Sequence, residues 1–139
     1  MINLTDFEEV ANARFEDAVV LALYDRYDGA IYLCGFAVEI ALKIRITKEH
    51  QLPSFPETIV EFKNFPIKKI KTHDLIKLRD LLSAPIFCTD TDRELSKRFD
   101  FLRQNWDVNY RYKKLSGVAS KSLCFDLIES VEYLLGVIL

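Results

Sequence analysis

The stretch AIYLCGFAVEIALKIRI, residues 30–46, carries apolar side chains on nearly every side until Lys43. A surface helix shows one apolar stripe, so a segment that is apolar all round predicts a helix enclosed by others. On its N-terminal side, Phe7, Ala11, Phe15, Ala18 and Ala22 recur at three- and four-residue steps, with Thr5 and Glu8 spaced as a capping box. This predicts a first helix that stops near Tyr27-Asp28-Gly29, where Gly breaks it and Asp28 accepts hydrogen bonds from the first N–H groups of the next. A turn that short makes the two helices antiparallel neighbours.

On the C-terminal side, residues 49–72 hold Pro53, Pro56 and Pro66 with no sustained period. A connection of that length in a small domain is functional or holds a short extra helix, for which Glu57 to Phe62 is the candidate. Thr72 or His73 can then begin a short helix through Leu75, Leu78, Leu81 and Leu82, ended by Pro85. Leu95, Phe99, Leu102 and Trp106 mark a fourth helix. Leu123, Leu127, Val131, Leu134 and Ile138 mark a fifth, flanked by Cys124, Ile128 and Leu135, with Asp126, Glu129 and Glu132 opposite. There is no strand alternation bounded by hairpin turns, no repeat and no low-complexity tract. The expected fold is all-α, an antiparallel up-and-down bundle of about five helices forming one domain over residues 1–139. With half its residues apolar, a chain of this length buries a core without covalent staples.

The net charge of −2 hides an uneven distribution. Residues 1–42 hold eight acids and two bases, residues 43–73 seven bases and three acids, and residues 93–121 eight bases and three acids. Cys34, Cys88 and Cys124 are odd in number and widely spaced, which argues against a disulfide framework and a zinc site. The acidic N-terminus lacks signal-peptide order and no apolar run is long enough to span a bilayer, so a cytoplasmic protein away from membranes is expected. Without a Gly-rich phosphate loop, nucleophile elbow or paired-histidine motif, neither metal nor cofactor is expected.

Three segments in order resemble a HEPN domain of the bacterial and archaeal type: YDGAIYLCGFAVEIALKIRI (27–46), KTHDLIKLRDLL (71–82) and RQNWDVNYRYKK (103–114). The first resembles the family's second helix, the second its Lys-x-His-Asp-Leu segment, and the third an aromatic-x-x-x-x-Arg-Tyr variant. The resemblance as a whole covers roughly residues 14–137. The resemblance implies RNA or nucleotide chemistry, bundle-to-bundle homodimers and, as a partner, a nucleotidyltransferase. The family's ribonucleases carry Arg, four to six residues, then His. Here Arg103 is followed by Val108, Asn109 and Tyr110 in that window, and Asn cannot exchange a proton near neutral pH.

Glu39 is an acid inside an apolar helix and needs a partner, with Lys43 one turn on the nearest and Arg103 or Arg111 across the bundle the alternatives. Asp74 reads as a helix cap, and His73 beside it as structural or as a general acid or base. Arg103, Arg111, Lys113 and Lys114 interleave with Trp106, Tyr110 and Tyr112, a combination that holds phosphates and stacks bases or else is a solvated helix end with Trp106 in the core. Lys63, Lys68, Lys69 and Lys71 form a second basic run, read first as a wet loop.

The leading expectation is a noncatalytic HEPN-like accessory domain whose ligand residues are Glu39, Lys43, Arg103, Asn109, Arg111 and Tyr112, contacting nucleotide or RNA. One rival is a metal-independent ribonuclease of toxin–antitoxin or defence type, rebuilt from Arg103, Arg111, Tyr112 and His73. The other is a purely structural interaction module.

Overall fold

A computed structural model describes residues 2–56, 65–82, 93–109 and 117–139. Among them lie six helices: α1 (Leu4–Leu23), α2 (Tyr27–Glu49), α3 (Ile67–Ile70), α4 (Leu75–Asp80), α5 (Arg93–Asn105) and α6 (Gly117–Ile138). The all-α bundle follows the apolar periodicities, with one helix more than expected because α3 forms just after Pro66. The only described strands are two-residue pieces, β1 (Ile2–Asn3) and β2 (Ser54–Phe55), paired antiparallel. No described helix is long and apolar enough to cross a membrane.

Two termini differ from the expected caps. Asn3, not Thr5, caps α1, its Oδ1 accepting from the Thr5 amide at 2.8 Å, while Glu8 pairs with Lys48 at the far end of α2. The short polar side chain of Asn3 stands where the first free N–H groups need an acceptor, one residue before the helix rather than inside it. The second helix begins at Tyr27, so Asp28 lies in its first turn instead of capping it, and Arg26 holds the cap without a side-chain bond. What stops α1 is Asp25, in the left-handed region at φ 61°: Arg26 N–H reaches Leu21 O at 2.8 Å and Asp25 N–H reaches Ala22 O at 3.2 Å. The end of α2 repeats this with Gln51 at φ 56°, Leu52 N–H bonding to Thr47 O and Gln51 N–H to Lys48 O. These are Schellman closures made without glycine. Gly29 serves packing: a Cβ there would stand 3.2 Å from Leu21 Cδ1, so its absence lets α1 and α2 approach.

The helix directions follow from the contacts. The Glu8–Lys48 pair joins the start of α1 to the end of α2, so they are antiparallel. Tyr27 at the start of α2 meets Phe125 in the first half of α6, and Leu139 packs on the Ile40–Ile44 cluster towards their ends, so these two run parallel. Arg98, in the first half of α5, reaches Ser130 and Glu129 far along α6, while Trp106 just after α5 reaches Tyr32 near the start of α2. Thus α5 opposes both, and the long helices alternate in direction. As its composition foretells, α2 is the axis, with thirteen residues buried from Ala30 to Thr47. Arg79 over the Phe99 ring at 5.3 Å ties α4 to α5.

Cys34 and Cys124 are fully buried among apolar neighbours. Burial pushes the Cys34 thiol up to about 12, with Cys124 a further cause, and burial pushes Cys124 up to about 11. An unfolded thiol ionises near pH 8.5. The folded state therefore keeps protons that the unfolded chain releases, so this contribution to stability is complete below about pH 8.5 and is lost as pH rises towards the folded values. Urea midpoints should fall between about pH 8.5 and 10.5, and Cys34→Ala should flatten that fall; an unchanged alkaline profile in the variant would remove Cys34 as its source. Cys88, Pro85 and the Glu57 to Phe62 helix lie outside the described residues.

Candidate functional site

The site begins with Glu39, which is 2 % exposed on the inner face of α2. A carboxylate so placed is costly unless its oxygens are taken up. Lys43 Nζ, one turn on and 15 % exposed, donates to Oε1 at 2.9 Å. The second partner is His73, whose Nδ1 stands 3.0 Å from Oε1 and 3.1 Å from Oε2. A carboxylate only accepts, so Nδ1 is the protonated nitrogen and Nε2 is left for the other side of the ring. Glu39 therefore does not pair with Arg103, which bonds to Asp100, and Arg111 lies outside the described residues. The histidine side chain remains 58 % exposed.

The 71–74 segment presents His73 because α4 starts where Asp74 caps it. Asp74 Oδ1 accepts from the Ile76 and Lys77 amides at 3.0 and 3.2 Å, as the His-Asp order suggested. Such a cap is worth about 1 kcal/mol. The Thr72 hydroxyl in turn accepts from the Asp74 amide at 3.1 Å. The helix runs Leu75–Asp80, starting two or three residues later and ending sooner than the leucine spacing implied. Thr72 and His73 are spent on this turn, outside the helix.

Facing His73 is the end of α5. Together they line a cleft of about 430 Å³ that also includes Asp74, Ile76, Trp106 and Asp107. This lies within the usual size of small-ligand sites, about 300–1,000 Å³. Arg103 donates through Nε to Asp100 at 2.9 Å, a bond that leaves out the outer edge of the guanidinium, the part that forks onto phosphate oxygens. Trp106 is 5 % exposed and donates from Nε1 to Tyr32 O at 3.2 Å, so it belongs to the core while contributing to the cleft wall. Its ring lies where a Cβ on Gly35 would be, 2.1 Å from Cε2. That glycine is what admits the indole.

The structure thus brings together Glu39, Lys43 and His73, and sets Arg103 across the cleft from His73. Asn109 is exposed and does not line it; its amide donates to Asp107 Oδ1 at 2.6 Å. Arg111, Tyr112, Tyr110, Lys113, Lys114 and Lys63 lie outside the described residues. The Glu39–His73 link was invisible in sequence because 34 positions separate the two residues. The unpaired look of Glu39 signalled only that some partner was needed. Among the described residues, no group of three or more His, Cys, Asp or Glu side chains could hold a metal ion. Comparison with known proteins finds no matching family model, no similar characterised protein and no similar solved structure. Fold and cleft define the class: an all-α bundle with a carboxylate-anchored histidine facing an arginine.

Proposed function

We propose that the chain is a noncatalytic, HEPN-like accessory domain that holds the phosphate of a nucleotide or RNA between His73 and Arg103, and that it works as a homodimer or beside a partner such as a nucleotidyltransferase. The observation that carries this reading is the cleft itself, where a histidine anchored on a buried carboxylate faces an arginine 30 positions away in the chain. An arginine fork and an imidazole from different elements suit an anion. Asn109 in the nuclease window argues for holding rather than cutting. The test is calorimetric titration with a mononucleotide and with single-stranded RNA at two salt concentrations. Binding should weaken at high salt and drop further in Arg103→Ala. No binding of any phosphate ligand at low salt would sink the proposal, and a strict monomer in solution scattering, alone and with co-expressed partners, would remove the assembly half of it.

One observation favours a second reading, the rebuilt ribonuclease. An imidazole whose Nδ1–H is held by a carboxylate is the arrangement of a general base acting through Nε2. Purified protein would then cut RNA in chelator, and both His73→Asn and Arg103→Ala would abolish the cutting. Intact RNA over a broad panel excludes it.

A further inference from the structure

We infer that the cleft takes one terminal phosphomonoester, that of a mononucleotide, and that His73 takes up a proton as the phosphate arrives, with Glu39 the residue that positions its ring. This rests on the phosphate-binding reading and narrows it.

The proton follows from the hydrogen-bond arithmetic. With Nδ1–H committed to Glu39, the neutral ring offers a lone pair at Nε2, which repels a phosphate oxygen just as another acceptor would. Only the imidazolium donates at both ends, to Glu39 on one side and to phosphate on the other. Among the described residues, the charged groups around it are Glu39 and Lys43 from α2, Asp74 beside it in the chain, and Arg103 and Asp107 from α5 and the turn that follows. Carboxylates and cations thus both surround the ring, and an incoming dianion adds negative charge on its Nε2 side.

The terminal phosphate follows from the lining. Against the two donors stand two carboxylates, Asp74 and Asp107, each already accepting from backbone amides. A nucleic-acid strand threading the cleft would bring its next phosphate towards one of them. A mononucleotide instead sets one dianion on His73 and Arg103 and turns hydroxyl or amino donors to the carboxylates. Ile76, Val108 and the edge of Trp106 supply apolar wall for a base or sugar.

The test uses adenosine monophosphate, inorganic phosphate and an RNA of about ten nucleotides without terminal phosphates. Calorimetry at about pH 8, above the ordinary histidine range, is run in two buffers of different protonation heat. The mononucleotide should bind with uptake of up to about one proton, and His73→Asn, a change at an exposed side chain, should remove that uptake. Glu39→Gln should weaken binding on the order of tenfold, the worth of one hydrogen bond to a charged group, and change the pH profile of the dissociation constant. In parallel, nitrogen NMR of the wild-type ring should show the Nδ1–H tautomer, a readout that stands even where Glu39→Gln folds poorly. Mononucleotide binding without proton uptake, or an Nε2–H tautomer, overturns the inference. Tight binding of the RNA with none of the mononucleotide overturns it too, while leaving the phosphate-binding reading intact. If no phosphate compound binds, both fall.

Discussion

Gly35→Ala is expected to destabilise the protein by about 2 kcal/mol, against the usual direction of that exchange in a helix. In a helix interior Ala is worth about 1 kcal/mol over Gly, so the sign depends on what the new methyl meets. At Gly35 it meets the Trp106 indole at 2.1 to 2.3 Å, deep inside van der Waals contact. The ring cannot slide away freely, because it is 5 % exposed and its Nε1 is bonded to Tyr32 O. Overpacking of this kind costs about 1–3 kcal/mol or somewhat more, which exceeds the helix gain. Gly136 is the internal control. A Cβ there meets nothing within 4 Å, so Gly136→Ala should stabilise by about 0.5–1 kcal/mol. Urea denaturation followed by far-ultraviolet circular dichroism compares the two, and a stabilising Gly35→Ala would show that the indole can relocate. The clash and the ring are in direct contact, so a Gly35→Ala, Trp106→Leu pair should depart from additivity by about 1 kcal/mol or more.

Lys43→Met is expected to be comparably damaging, by about 3 kcal/mol, because it strips a charge partner from a carboxylate that is 2 % exposed. The loss is the cost of a buried anion left short of donors rather than the worth of the contact removed. Among the described residues, His73 alone then remains to satisfy Glu39. The signature is recovery: a Glu39→Leu, Lys43→Met double variant, with both charges gone and the volume kept, should regain most of the stability. Replacing buried ion pairs by packed apolar groups is often neutral or better. Equal instability of the single and double variants would mean that the pair matters through shape alone. The double variant should nonetheless lose its grip on the His73 ring, which separates the stability of the pair from its use at the site.

Most of the helices are legible in the sequence, and for a simple reason. Segments such as Leu123–Ile138 and Leu95–Leu102 carry a 3.6-residue period that only one element satisfies, and residues 30–46 are too apolar to lie anywhere but inside. Termini were less legible. Asp25 and Gln51 close their helices in a left-handed conformation that glycine usually advertises, so the eye goes to Gly29, whose real task is to let two helices touch. α3, with four residues and flanking Pro66, is too short to display a period at all. At the site, Glu39 and its Lys43 partner could be read from one helical turn, and the Asp74 cap from its place before Leu75. The His73 bond could not, since it depends on how α4 is laid against α2, which no local pattern encodes. Arg103 stood out by its aromatic company, but the cleft partner that gives it meaning comes from the other side of the fold.

Trp106 is the chain's only tryptophan, and it sits at once in the packed core, against Gly35, and in the wall of the cleft. The protein therefore carries its own optical probe at the point where fold and ligand meet. Its emission should shift to the red when the core opens and change in intensity when a base or an anion enters beside His73 and Arg103. Both events can be followed in one cuvette without a dye.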